Sequence, residues 1–284
     1  MFDSPLRYPG GKGRLLQFVV DLVEMNDLTG GHYVEPYAGG AGVAISMLYL
    51  EYVSHIHLND LNRSVFAFWK TVVNHPDDLC KLVRDTPITI DEWRRQKAVQ
   101  SDADADPIAL GFSTFFLNRT NRSGIISGGV IGGKSQAGNW SLDARFNRAD
   151  LLKRIEKIAS YGPRISLYND DAAAFIEGPL KKVPKTSLVY LDPPYYLKGS
   201  ELYENHYQHK DHAKVASLVG SIKQRWIVSY DNAPPIRELY ANFRQQVFGL
   251  RYSAQSRYVG SEVMIFCGDL KSPGDIEPSR KDVA

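Results

Sequence analysis

Short apolar runs that stop at acidic, glycine-rich or proline-rich turns recur near both ends of the chain, and helical periodicity fills the middle. Leu188-Val189-Tyr190-Leu191 is followed at once by Asp192-Pro193-Pro194. That pattern predicts a buried strand, ended by two residues that lack an N–H and hold φ near −65°. Residues 32–35 predict a strand that runs into Gly39, Gly40 and Gly42, with a small-residue helix starting within Ala41 to Ala44. HIHLNDLNRSVFAFW predicts a second strand ending at Asn59-Asp60, and RISLYNDD a third ending at Asn169, Asp170 and Asp171. Trp226 to Ser229 reads as a further strand, with residues 247–258 and 262–267 as closing antiparallel strands. Helical spacing places Leu15, Leu16, Val19, Val20 and Val23 on one face. Between about Val65 and Tyr161 the strand pattern disappears. Phe66, Trp69, Val72 and Val73, a helix start near Thr89, and Phe112, Phe115 and Phe116 predict helices there.

Strand, glycine loop and helix in succession make the nucleotide-side half of a Rossmann-like fold. By itself the loop fits NAD, FAD or S-adenosylmethionine equally. At 284 residues and 43% hydrophobic, the chain suffices for one large domain or two moderate ones. Net charge is only +2 and the pI about 8.4. Residues 112–157, however, hold eight basic against three acidic side chains, a local charge of +5. The basic character is therefore concentrated on the Gly-, Ser- and Asn-rich stretch 118–140 and the segment after it. Cys80 and Cys267 are too few for a disulfide framework or a cysteine zinc site. His206, His209 and His212 with Asp211 fit a mobile segment passing into a helix at least as well as a metal site, and no metal is expected. No leading apolar segment resembles a signal peptide, and no apolar run approaches the roughly 18 residues needed to span a bilayer. A soluble, cytoplasmic protein is expected.

Four stretches carry candidate chemistry. Gly10, Gly11 and Gly13 surround Lys12, so backbone N–H groups and a cation can converge on an anion. Walker A spacing is absent, which favours a carboxylate-bearing small molecule over a triphosphate; a glycine turn with a solvent lysine is the plain alternative. Asp60 lies 21 residues beyond Gly39, at the strand end where ribose hydroxyls are held, although it is equally placed to cap the following helix. At the third strand end Asp171 is placed to accept from an adenine amino group of a cofactor, and Asp170 is equally placed to cap the next helix. LDPPYY supplies the Asp192 carboxylate, the Pro193 carbonyl and the Tyr195 ring within four residues. Two acceptors beside a flat ring suit an exocyclic amine on a planar base. In the basic stretch, arginines reach guanine edges or phosphates and asparagines read adenine. Asn118, Arg119, Asn121, Arg122, Lys134 and Arg145 are the candidate nucleic-acid contacts, and an ordinary basic surface with a disordered loop is the plain alternative.

Taken together, RYPGGKGRLL, VEPYAGGAG, HLNDLNRSV, LNRTNRSG and LDPPY, in that order, resemble the motifs of the alpha-group adenine-N6 DNA methyltransferases, the Dam-like class. The resemblance runs from Arg7 to about Cys267. It implies an α/β, Rossmann-like S-adenosylmethionine-dependent methyltransferase sheet with antiparallel closing strands. It also implies an inserted, mostly helical DNA-recognition domain containing a basic loop or hairpin. Residues 1–64 and 159–270 would form the catalytic domain, 65–158 the insertion and 271–284 a polar tail. The implied cofactor is S-adenosylmethionine, the implied partner double-stranded DNA, and the implied state a monomer. Tyr8, Lys12, Glu35, Gly39, Gly42, Asp60, Asp171 and Asp192 match cofactor-contacting positions, with Tyr8 where relatives often carry tryptophan. Asp192, Pro193, Pro194 and Tyr195 match the catalytic motif, which implies capture of a flipped adenine and direct attack of its N6 on the methyl group. The competing readings are a non-catalytic DNA-binding protein on the same scaffold, or transfer to an RNA base.

Overall fold

The computed structural model describes residues 3–7, 12–197, 207–252 and 258–276; Tyr8, Gly10, Gly11 and His206 lie outside them. The first helix, α1 (Leu16–Met25), leads into β1 (His32–Glu35), α2 (Gly42–Tyr49) and β2 (His55–Asn59). Five helices follow: α3 (Arg63–Asn74), α4 (Pro76–Asp85), α5 (Ile90–Ser101), α6 (Pro107–Thr120) and α7 (Arg148–Ser160). The strand pattern then resumes with β3 (Ile165–Tyr168), α8 (Ala172–Glu177), β4 (Ser187–Leu191), α9 (His209–Val219), β5 (Arg225–Asp231) and α10 (Pro234–Leu239). Strands β6 (Arg244–Tyr252) and β7 (Tyr258–Phe266) close the sheet.

Sheet order is β3-β2-β1-β4-β5-β7-β6. The first five strands are mutually parallel, and β7 runs antiparallel between β5 and β6. Parallel strands buried on both faces need continuous apolar runs, and all five residues of β4 are buried. The order of β3, β2, β1, β4 and β5 is the doubly wound one, so β1, β2, β3 and β4 all present their carboxyl ends at one edge. Ligands bind at that edge in open α/β sheets. Glu35, Asp60, Asp171 and Asp192 stand at or just beyond those four ends.

The helices between β2 and β3 start where their caps put them. Asn62 accepts from the N–H groups of Ser64 and Val65, Thr89 from Glu92, and Asp106 from Ile108 and Ala109 ahead of Pro107. Such caps satisfy N–H groups that a helix start leaves open. Asn62, and not Asp60, therefore caps α3. The apolar faces of these helices converge on Phe68, which is not in the predicted face, while Phe66 and Val73 are only partly buried: Phe68 and Phe115 stack at 6.1 Å, and Phe146 packs edge-on to Phe115 at 5.4 Å. A side chain at Gly111 of α6 would collide with Thr71 and Ala67 of α3, so glycine lets these helices pack closely. This aromatic core is continuous with that of the sheet.

At the opposite edge from the carboxylates, three histidines stack across β1 and β2. His32 and His55 are register partners, with ring centroids 5.1 Å apart. His57 shares a 2.9 Å hydrogen bond between its Nε2 and His32 Nδ1, and its Nδ1 lies 3.2 Å from the Tyr168 hydroxyl. Burial, reinforced by His55 and His32, lowers the His57 pKa to about 3. A histidine kept neutral on folding supports stability above its unfolded pKa near 6.5, and that support fades as pH falls toward 3. H57Q is therefore expected to gain on the wild type below pH 6.5, by at most about tenfold in the folding constant per pH unit. Urea unfolding of both proteins between pH 7 and pH 5 measures this, and parallel pH dependences would refute it.

Candidate active site

Asp192 leaves β4 directly into the two prolines, and its carboxylate is held from two directions. Lys12 Nζ lies 2.8 Å from Oδ1 and 3.0 Å from Oδ2. The Ser229 hydroxyl on β5 donates to Oδ1 at 2.6 Å, and the Tyr190 hydroxyl donates to Ser229 at 3.1 Å. Lys12 Nζ also donates to the Tyr195 hydroxyl at 3.0 Å and lies 5.0 Å from the ring centroid. Burial pulls the Lys12 pKa down, but Asp192, Tyr195, Glu262 and Tyr190 outweigh it and raise it well above the ordinary value. Lys12 is thus a fully charged, buried ammonium whose carboxylate partner is the protein's own Asp192. Gly10 and Gly11 of the glycine-flanked turn lie outside the described residues.

Tyr195 is 5% exposed. Its hydroxyl accepts from Lys12 and donates to Glu262 Oε1 at 2.7 Å. The next stretch of backbone is pinned by Asp231 at the end of β5, whose two oxygens accept from the N–H groups of Tyr196 and Leu197, each at 2.8 Å. The loop from Asp192 to Leu197 is thereby fixed at its carboxylate, at its aromatic hydroxyl and at its backbone. Ser229, Asp231 and Glu262 carry no motif; the pairing of β4 with β5, and of β5 with β7, brings them here.

The glycine loop is held to the end of β2. Asp60 Oδ2 accepts from Gly39 N at 2.8 Å and Oδ1 from Asn62 N at 2.9 Å. Gly39 (φ 46°) and Ala41 (φ 46°) take left-handed backbone, which glycine adopts at little cost and alanine rarely adopts. Trp69 of α3 donates its indole N–H to Gly39 O at 2.9 Å. Asn59 joins three strand ends, donating to Pro36 O and Asp170 O and accepting from Asp170 N. Burial lifts Asp60 to about 6 against the pull of Gly39 and Asn62. It lifts Glu35, which accepts from Ala44 N at 3.2 Å in the first turn of α2, to about 8. Asp171 caps α8 through Ala173 N, so the capping role belongs to it and not to Asp170. A Cβ at Gly42 would meet nothing within 4 Å. Open space at the first residue of α2, beside half-buried Asp60 and Asp171 at neighbouring strand ends, fits a nucleoside with hydroxyls to be accepted. Those residues fit an S-adenosylmethionine-type cofactor.

Half of the expected DNA contacts prove to be framework. Asn118 is buried, donating to Arg7 O and Gly124 O and accepting from Arg7 N. Asn121 is buried too, accepting from the Trp93 indole and donating to Ile125 O and Ile126 O. Arg119 donates to Pro5 O, and burial lowers its pKa to about 9. Their polar atoms serve the backbone at the root of the loop, so they do not stand open to DNA as the sequence reading expects. The single antiparallel bridge Asn121–Val130 is all the hairpin that forms among the described residues. Arg122, Lys134 and Arg145, by contrast, are exposed. Trp140 is 66% exposed on the same loop, with the Arg145 guanidinium 5.9 Å from its ring centroid. Asn118 links this loop to Arg7, five residues before Lys12, which places the loop root within about 17 Å of chain from the Asp192 site. No helix among the described residues is long and apolar enough to cross a membrane.

A doubly wound sheet extended by an antiparallel β7, with acids at four strand ends and a braced Asp-Pro-Pro-Tyr loop, defines a Rossmann-like methyltransferase. Residues 8–253 match the family model described as D12 class N6 adenine-specific DNA methyltransferase. The chain belongs to that family, whose members use S-adenosylmethionine to methylate adenine in DNA. It is 25% identical over 207 residues, 68% of its length, to the modification methylase StsI of Streptococcus sanguinis, of which the match spans 29%. It is 24% identical over 203 residues to the type II methyltransferase M.MjaIII of Methanocaldococcus jannaschii, covering 67% of this chain and 68% of that protein. Among solved structures, TrmK of M. capricolum in complex with S-adenosyl-homocysteine aligns over 86% of this chain and 66% of that one, with 10% identity and a TM-score of 0.36.

Proposed function

We propose that this protein is an alpha-group, Dam-like enzyme that methylates the N6 amine of a flipped adenine at a specific sequence in duplex DNA. The observation that carries the reading is the Asp192 carboxylate, set at the end of the central strand and braced by Lys12, 180 residues away in sequence, and by Ser229. A braced carboxylate beside the Pro193 carbonyl gives the two N–H bonds of an adenine amine two acceptors. Accepting both favours the pyramidal geometry that frees the nitrogen lone pair, and alignment then lowers the barrier of the bimolecular displacement. Asp192 also faces the positive charge that develops on N6. The stacking role expected for Tyr195 is not open to a base in this structure, because the ring is 5% exposed with Lys12 over it; Tyr195 is read as a wall that the hydroxyl clamp holds behind Asp192. The bound cofactor would supply an electrophilic sulfonium methyl. Glu35, Gly39, Gly42, Asp60 and Asp171, with Tyr8 by resemblance, would hold it, while Lys12 acts on Asp192. The names of the two relatives favour a modification enzyme of a restriction-modification system.

In this reading the catalytic sheet is formed by 1–64 and 159–270, and residues 65–158 are the target-recognition insertion. Arg122, Lys134 and Arg145 remain as its DNA contacts. Arg145→Ala is expected to weaken duplex binding by a similar factor for every sequence and to flatten the slope of log K against log salt by about 0.9, one phosphate contact. Fluorescence anisotropy of labelled duplexes at several salt concentrations reads this out. A changed base preference at constant slope would instead make Arg145 a base reader.

The deciding experiment for the function is incubation with methyl-labelled S-adenosylmethionine and mixed-sequence duplex DNA, followed by digestion to nucleosides. Label on N6-methyladenine, at one repeated sequence, is the expected result. Label on another nucleoside, or transfer only to RNA, would overturn the substrate assignment.

A further inference from the structure

Glu262 is a buried acid with no place in any motif, and it stands at the centre of the site. On β7 it lies opposite Asp231 of β5, so the two cross-strand carboxylates divide the grip on one loop. Asp231 takes the backbone N–H groups of Tyr196 and Leu197, and Glu262 takes the Tyr195 hydroxyl. Glu262 is 1% exposed, its Oε1 is 3.8 Å from Lys12 Nζ, and its Oε2 is buried without a hydrogen-bond partner among the described residues. A buried carboxylate oxygen left in that state is costly and is tolerated where the group serves something else. Burial, with Asp192 adding to it against Lys12 and Tyr195, raises the Glu262 pKa.

We propose that Glu262 is a positioning residue for methyl transfer: by accepting a hydrogen bond from the Tyr195 hydroxyl it sets the ring plane and directs that hydroxyl's lone pair to Lys12, which in turn holds the Asp192 carboxylate in place for the substrate amine. This rests on the functional reading above. The physical reason is that a tyrosine hydroxyl has one proton to give. While Glu262 takes it, the hydroxyl oxygen receives Lys12 and the chain Asp192, Lys12, Tyr195, Glu262 is ordered end to end. Without Glu262 the Tyr195 hydroxyl loses its 2.7 Å acceptor, and its hold on Lys12 is no longer set from that side.

The test is a double-mutant cycle between E262M, which keeps volume but accepts no hydrogen bond, and Y195F, which removes only the hydroxyl. E262M is expected to lower kcat by about 10- to 100-fold, with KM for S-adenosylmethionine changed less than about threefold. E262Q, whose amide oxygen still accepts the hydroxyl, is expected to retain activity within about fivefold of wild type. In the Y195F background E262M is expected to add less than about threefold. An undiminished E262M loss in Y195F, or E262Q as damaged as E262M, would overturn the proposal. Should low solubility obscure turnover, the same cycle in urea midpoints of the apoprotein applies, and additive midpoint shifts would also refute the coupling. Wild-type transfer to adenine tests the functional reading separately from these ratios.

Discussion

Asp192→Asn is expected to reduce single-turnover methyl transfer to adenine by about 10²- to 10³-fold while S-adenosylmethionine binding weakens by less than tenfold. The substitution nearly preserves shape, so the loss isolates the charge. An asparagine offers one carbonyl oxygen where the carboxylate offers two, and its NH2 group would face an N–H of the substrate. It also removes the anion beside Lys12 (2.8 Å) and the acceptor for Ser229 (2.6 Å). The cofactor would keep Glu35, the glycine loop, Asp60 and Asp171, which do not depend on Asp192, so its affinity should change little. Quench-flow of labelled methyl transfer, with cofactor affinity from a melting shift, decides the matter. Turnover above about a tenth of wild type would remove Asp192 from the reacting centre.

The second large effect is expected for Lys12→Met. Lys12 is the buried cation between Asp192 and Glu262, and taking one partner from a buried ionic cluster leaves the remaining charges uncompensated. A loss of about 3 kcal/mol in unfolding free energy is expected, toward the lower end for such pairs because Asp192 keeps 24% of its side chain exposed. The pH dependence has a definite sign. Without the ammonium, Glu262, already raised by burial, loses the cation that holds it down and rises further, so the deficit is largest at high pH and shrinks as pH falls and a proton neutralises it. Urea midpoints of wild type and K12M at pH 8 and pH 5 measure it; a deficit equal at both would mean that Lys12 acts by packing and not by charge. Methyl transfer in K12M should fall together with stability, since Tyr195 loses the donor that anchors its hydroxyl from the other side.

Much of this arrangement is legible in the order of residues. The apolar run 188–191 becomes β4 with one residue added at its start, because a parallel strand buried on both faces must be apolar throughout and prolines must end it. The strand ends at Glu35, Asn59-Asp60 and Asn169-Asp171 are likewise local: polar residues follow apolar ones where the chain leaves the sheet. The helical middle is legible for the same reason, through its caps and its phenylalanine spacing. The basic loop is where local reading fails. Asn118, Arg119 and Asn121 have the chemistry of DNA readers, yet irregular backbone at a loop root needs polar partners as much as a ligand does. Whether an asparagine meets a base or a carbonyl depends on its neighbours in space, here Arg7, Gly124, Ile125 and Trp93.

Local residue order set the individual strands and helices, the acids at the strand ends, the glycine loop and the Asp-Pro-Pro-Tyr motif, because each is fixed by residues within a few positions of one another. Tertiary structure alone decided which side chains complete the site. Antiparallel pairing of β7 with β5 brings Glu262 to Tyr195 and sets Asp231 beside the same loop, and the parallel pairing of β4 with β5 brings Ser229 to Asp192. The N-terminal turn supplies Lys12 from 180 residues away. Local spacing does not encode such contacts; they follow from sheet register, which is fixed by burying the apolar face of every strand at once.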